Sequence, residues 1–176
     1  MVVVLALVVG VFGPAGMAAM LRDAKHAVAS ARQHAPHAPG RHGRSDGRPP
    51  RAAAAAGRAV AYARVQLGKP YRWGGTGPGS FDCSGLTRAA WAAAGVSLPR
   101  TAAEQFRAGP REPRGQLAAG DLVFYASDGP SGWHVALATS HSRMVEAPGQ
   151  GERIRQSPVR QARWRGAVRP QGGGSR

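Results

Sequence analysis

The stretch FDCSGLTRAAWAAAG, residues 81–95, decides how the folded part of this chain is built. Leu86, Ala90 and Ala94 recur at the spacing of one helix face, so the stretch predicts a helix with an apolar side. Gly95 is typical of a helix C-terminus, because glycine adopts the left-handed conformation found there. We therefore expect a helix that ends close to Gly95 and packs its apolar face against a core.

The start of this helix carries the only cysteine of the chain. Asp82 is a favoured N-cap residue and places Cys83 in the first turn, where the helix dipole and free N–H groups favour a thiolate. A lone cysteine is more often a small buried apolar residue, but such a residue would lie within the apolar face. A glycine-rich loop over residues 74–79 also lets a substrate backbone approach. The position favours a nucleophile.

A thiolate nucleophile needs a base, and two histidines lie in the folded part of the chain. His134 opens the apolar run His-Val-Ala-Leu-Ala after a glycine-rich turn. His141 is flanked by serines and an arginine, where a hairpin loop is expected and little would hold its ring in place. His134 is therefore the predicted base.

Glu146 is the candidate for orienting the imidazole of His134. It lies twelve residues further along the chain, an even offset that puts both side chains on one face of a hairpin. A three- or five-residue loop centred on Ser140 would place the two residues directly opposite each other. The alternative is that Glu146 pairs with a neighbouring arginine.

The remaining patterns predict an α+β fold. An alanine-rich helix is expected over residues 52–67, and Thr101 with Glu104 forms a capping box for a third, short helix. Five short apolar runs separated by turn residues follow, which predicts an antiparallel sheet packed against the N-terminal helices. The runs occupy residues 122–125, 133–139, 144–147, 153–156 and 164–169.

The N-terminal third differs in composition from the rest. Residues 1–21 are uncharged and long enough to be a signal or membrane anchor, and 22–50 form a predicted disordered linker rich in Pro, Arg and His. No basic residue precedes the apolar run and several follow it, a pattern that by itself favours a cytoplasmic domain. We nevertheless expect an extracytoplasmic protein, membrane-anchored or secreted. The catalytic domain is predicted at 51–170, with a flexible tail at 171–176.

The formal charge of +15 over 176 residues favours anionic partners, such as wall polymers or lipid, or reflects a general arginine bias. Nucleic acid is disfavoured, because no zinc-finger spacing, phosphate loop or recognition helix is present. One cysteine excludes an intramolecular disulfide and a multi-cysteine metal site. The irregularly spaced histidines of the linker indicate a solvated tether, and we expect no metal or other cofactor.

Three stretches together resemble the NlpC/P60 family of cell-wall peptidases, part of the papain-like group. They are AYARVQLGKPYRWGGTGPGSFDCSGL at 61–86, WAAAGVSLPRTAAEQ at 91–105 and LAAGDLVFYASDGPSGWHVALATSHSRMVEAP at 117–148. The resemblance implies a papain-like α+β fold. It also implies an endopeptidase acting on peptidoglycan stem peptides, typically between D-γ-glutamate and diaminopimelate or lysine.

The resemblance also implies roles for individual residues. Cys83 resembles the nucleophile and His134 the base, while Glu146 stands where many relatives have a second histidine. Tyr71 matches a site tyrosine whose hydroxyl would donate to the oxyanion, although simple packing is an equal alternative. Three further candidates for substrate contact are Asp82 and Ser84, which flank the nucleophile, and Trp73, which would shape the cleft.

Other functions fit the same residues. A peptidoglycan amidase or an acyltransferase would use the same Cys–His pair on a different bond. A non-catalytic wall-binding module would rely on the basic surface, although the intact Cys83, His134 and Glu146 speak against it.

Overall fold

The fold is seen in a computed structural model that describes residues 48–171. The predicted signal or anchor at 1–21 lies outside the described residues, as do all but the last three residues of the linker and all but the first residue of the tail. Those boundaries remain predictions. Within residues 48–171, no helix has both the length and the apolar character needed to cross a membrane.

In the part of the chain that the structure describes, three α-helices precede the sheet. Helix α1 begins two residues before its predicted start, because Pro50 fits the first helical position, where its fixed φ is suitable and no N–H is needed. Helix α2 starts at Cys83 as predicted, and the Thr101–Glu104 capping box is present at the start of α3. The helices are α1 (Pro50–Val65), α2 (Cys83–Ala93) and α3 (Ala102–Gln105), followed by a 3-10 turn at Arg114–Gln116.

All five predicted strands are present and form one antiparallel sheet, so the α+β prediction is confirmed. The strand order is β4-β3-β2-β1-β5, which places β2 in the centre between β3 and β1. The strands are β1 (Leu122–Ala126), β2 (Trp133–Ala138), β3 (Arg143–Glu146), β4 (Arg155–Pro158) and β5 (Trp164–Val168).

The two faces of the sheet carry two separate apolar clusters. On one face Val135 and Leu137 of β2 join Leu86 and Trp91 of α2, which packs directly against β2. On the other face Ala136 of β2 joins a smaller cluster with strands β1, β3 and β5. This alternation follows from the pleat of the strand and puts His134, near the start of β2, on the same face as Ala136 and its partner Tyr125.

The hairpin between β2 and β3 differs from the prediction in its register. Leu137 pairs with Val145 and Ala138 with Met144, so the turn is centred on His141 and not on Ser140. Glu146 is therefore a diagonal neighbour of His134 on the same face, not its direct partner. The cause is local: the Ser140 hydroxyl accepts the N–H of Arg143 at 3.1 Å, which puts Ser140 at the beginning of the turn.

Candidate active site

The start of α2 is fixed by Asp82, whose side chain is buried. Its Oδ1 accepts the N–H of Gly85 at 2.6 Å, and its Oδ2 accepts the N–H of Gly74 at 3.0 Å. The guanidinium of Arg100 neutralises the carboxylate. Because one carboxylate ties the helix start to the glycine-rich loop, Cys83 is held in a defined place as the first helical residue.

Ser84 is also buried, and its hydroxyl contacts Asp82 and Arg100. Its hydroxyl donates to Oδ1 of Asp82 at 3.3 Å and accepts from Arg100 at 3.0 Å. Capping and ion pairing thus account for the side chains of Asp82 and Ser84. Their predicted contact with substrate remains untested.

Gly85 lies against the backbone of the glycine-rich loop. A Cβ atom at this position would lie 2.0 Å from the carbonyl oxygen of Gly75, a distance that only displacement of one backbone could relieve. We therefore expect Gly85→Ala to lower the melting temperature of the purified chain by roughly 5 °C or more, and to reduce alkylation of Cys83. Gly57→Ala on α1, where the new Cβ meets nothing within 4 Å, is the matched control. Equal melting temperatures for the two variants would contradict the close approach.

His134 and Glu146 come together with Cys83 as predicted. The side chain of His134 is hydrogen-bonded to Cys83 on one side, and its Nε2 lies 2.9 Å from Oε2 of Glu146 on the other. Since Nε2 faces the carboxylate, Nδ1 is the ring nitrogen available to the sulfur. His141 is exposed in the hairpin turn.

Glu146 is 1% exposed and accepts hydrogen bonds from four different side chains. Besides His134, Oε1 accepts from the hydroxyl of Ser157 at 2.7 Å, and Arg160 donates one N–H to each carboxylate oxygen at 3.0 Å. The fourth donor is Nε of Arg155, at 3.3 Å. Glu146 thus forms both of the contacts considered from the sequence: a hydrogen bond with the imidazole of His134 and ion pairs with arginine. Ser157 and Arg160 could not be predicted from the sequence, because nothing in it distinguishes them from the many other serines and arginines.

The protonation states of the pair follow from these contacts. Burial disfavours the imidazolium, but the hydrogen bonds to Cys83 and Glu146 outweigh it and raise the pKa of His134 to about 9. Burial opposes ionisation of Glu146 as well, yet the bonds from His134, Arg160 and Ser157 hold its pKa well below its usual range. At neutral pH the site therefore holds a carboxylate beside an imidazolium.

A titration of the imidazole tests this description. We expect the His134 ring, followed by NMR in the full chain, to titrate near pH 9. Because the folded-state pKa lies above the unfolded value of about 6.5, protonation of His134 stabilises the fold fully below that pH. This contribution is lost as the pH rises through about 9. A midpoint at or below the unfolded value would contradict the ion pair.

A cavity of about 340 Å³ opens in front of the sulfur. Its lining includes Cys83, His134 and three aromatic residues, Tyr71, Trp73 and Trp133, and Trp73 is 55% exposed. Burial and the nearby charges of Cys83 and Asp82 raise the pKa of Tyr71 to about 12, so its hydroxyl stays protonated and can donate.

A second cavity of about 500 Å³ is lined by His134 and Glu146 together with charged residues that include Arg155, Arg160 and Arg163. Within the described residues, no group of three or more His, Cys, Asp or Glu side chains is arranged to hold a metal ion.

Comparison with known proteins identifies the family to which the chain belongs. The model of the NlpC/P60 family matches residues 68–170. Peptidoglycan endopeptidase RipB of Mycobacterium tuberculosis is 40% identical over 116 residues, which cover 58% of this chain and 47% of RipB. The probable endopeptidase p60 of Listeria monocytogenes is 44% identical over 93 residues, covering 52% of this chain and 19% of that protein. The chain thus spans less than half the length of these curated relatives.

Solved structures give the same result. The peptidoglycan hydrolase RipB from Mycobacterium tuberculosis superposes with a TM-score of 0.60 at 37% identity, over 70% of this chain and 69% of that one. The NlpC/p60 domain of the peptidoglycan hydrolase SagA superposes with a TM-score of 0.57 at 36% identity, over 64% of this chain and 97% of that one. Because the family model matches more than half of the chain, this protein belongs to the NlpC/P60 family.

Proposed function

We propose that this protein is a cysteine endopeptidase that hydrolyses amide bonds in the stem peptides of peptidoglycan. The observation that carries the proposal is the placement of Cys83, at the start of a helix, and His134 in the lining of one open cavity, with Nε2 of His134 2.9 Å from Oε2 of Glu146. Nucleophile, base and orienting group are the parts that thiol-dependent acyl transfer requires.

Each step of acyl transfer has a group in place to perform it. The thiolate of Cys83 attacks the amide carbonyl, and the first N–H groups of α2 are directed at the oxyanion that forms. The hydroxyl of Tyr71, which stays protonated, is a further donor to that oxyanion. The imidazolium of His134 protonates the departing amine and then, as a neutral base, takes a proton from the water that releases the acyl group.

The proposed bond is that between D-γ-glutamate and the third residue of the stem, diaminopimelate or lysine. Support comes from the resemblance of the three motif stretches and from relatives named as peptidoglycan endopeptidases. The substrate lies in the cell wall, so the proposal includes an extracytoplasmic location, with residues 1–21 as signal or anchor. The net charge of +15 would favour retention on anionic wall polymers.

Digestion of purified cell walls and of defined stem peptides by the full chain tests the proposal. Mass spectrometry is expected to show peptides cut after the second residue, with the first two residues still attached to the muramic acid in wall digests. Muramic acid released without any peptide would identify an amidase instead. Transfer of the acyl group to an added amine, without hydrolysis, would identify an acyltransferase.

A further inference from the structure

The connection between β4 and β5 places Arg160 against the carboxylate of Glu146. Its two terminal nitrogens each lie 3.0 Å from a different carboxylate oxygen, one on Oε1 and one on Oε2. Such a two-pronged contact fixes the plane of a carboxylate and not only its position. Oε2 also accepts the hydrogen bond from Nε2 of His134. When the plane of the carboxylate is fixed, the direction of this hydrogen bond is therefore fixed as well.

Arg160 is itself held from strand β1. Its guanidinium lies 4.7 Å from the centre of the Tyr125 ring, and its backbone N–H donates to the Tyr125 hydroxyl at 3.2 Å. Tyr125 in turn pairs with His134 across the β1–β2 ladder. Tyr125 thus lies opposite His134 in the sheet and also contacts Arg160. It therefore holds Arg160 and His134 in fixed positions relative to each other.

Arg155 contacts the same carboxylate but in a different way. It offers a single N–H at 3.3 Å, its side chain is 50% exposed, and it also pairs with the exposed Glu152. Of the two arginines, only Arg160 contacts both oxygens of Glu146. A lysine at position 160 would preserve the charge but not the fork.

We propose that Arg160 is a positioning residue for the reaction: its fork holds Glu146 in the one orientation that aims His134 at Cys83. The inference rests on the proposed role of the Cys83–His134 pair. It extends the site by one residue, so that groups from α2, β2, β3 and the β4–β5 connection act as a unit. Ser157, which donates to Oε1, assists from β4.

The titration of His134 separates orientation from charge. Loss of a positive charge alone would raise the pKa of His134, because the imidazolium would be repelled less. Loss of the two-pronged contact instead lets the carboxylate turn away from Nε2, which lowers the pKa of His134. The titratable or charged groups around the pair, on each element packed against it, are Cys83 on α2, Tyr125 on β1, Glu146 on β3, Arg155 on β4 and Arg160.

The experiment compares Arg160→Met and Arg160→Lys with the matched control Arg143→Gln, an exposed arginine of β3 outside the site. For Arg160→Met we expect the NMR titration midpoint of His134 to fall by about one pH unit, with kcat on stem peptides about tenfold lower and KM within twofold. Arg160→Lys should show a smaller fall in the same direction, and the control neither change.

Several results would overturn the proposal. A midpoint that rises in Arg160→Met would show that Arg160 acts through its charge, and an unchanged midpoint that it is merely structural. If Arg160→Met fails to fold, Arg160→Lys decides, and a lysine variant identical to wild type refutes the need for the fork. Failure of the wild type to cleave stem peptides would refute the proposed function, while the titration would still decide the role of Arg160.

Discussion

Cys83→Ala is expected to lose at least about 10⁴-fold in kcat/KM on stem peptides, the scale seen when a covalent nucleophile is removed from a catalytic unit. The reason is chemical: Cys83, the single cysteine of the sequence, lines the same cavity as the imidazole of His134. Without it, His134 has no thiol to deprotonate and no acyl-enzyme can form. Release of product from a defined stem peptide, followed by chromatography, measures the loss.

Cys83→Ser is the matched control, since it keeps the shape of the site and a group that can bond His134. We expect Cys83→Ser to be nearly as inactive as Cys83→Ala, because a hydroxyl is much less acidic than a thiol and is a poor nucleophile at neutral pH. Both variants should melt near the wild-type temperature. Full lytic activity in Cys83→Ala would refute the proposed cysteine endopeptidase function and favour a wall-binding module as the explanation.

Glu146→Gln is expected to lower both kcat and stability, with a loss of about 10²–10³-fold in kcat and of about 3 kcal/mol in the free energy of unfolding. An amide has one acceptor oxygen and must turn its N–H₂ toward either His134 or Arg160, each of which is a donor. The variant therefore leaves at least one buried contact without a partner. Kinetics on stem peptides and denaturant unfolding measure the two losses.

Glu152→Gln provides the contrast, because this glutamate forms an ion pair with Arg155 at the surface, where such pairs contribute about 0–1 kcal/mol.

The sign of the pH dependence of stability offers a second check on the role of Glu146. Since the folded-state pKa of Glu146 is depressed, its contribution is present above the unfolded value of about 4.3 and is lost as the pH falls below it. Wild type and Glu146→Gln should converge in stability on acidification. A Glu146→Gln protein as stable as Glu152→Gln at neutral pH would contradict the buried network.

Much of this site could be predicted from the sequence because its signals are local. A cap residue, an apolar face and a terminal glycine are read within about fifteen residues, and they placed Cys83 at the start of α2. The alternation of apolar residues located β2 and β3, and the even offset put His134 and Glu146 on one face whether they are opposed or diagonal. The turn is centred one residue later than predicted, but this shift leaves the side chains of His134 and Glu146 on the same face of the sheet.

What the sequence analysis missed depends on contacts between distant segments. The turn at His141 is set by a serine hydroxyl that competes for backbone donors, which apolar patterning does not register. Arg160 lies in a connection without periodicity, and only the packed Tyr125 brings it to Glu146. No local pattern distinguishes this arginine from the others in the chain.

Cys83 lies at the start of a helix and His134 on a strand, so the two side chains come together only when the helical layer packs on the sheet. A newly synthesised chain therefore carries no functional thiol–imidazole couple until both layers have docked. If the proposed function is correct, hydrolytic activity would therefore require the helical layer and the sheet to have packed together.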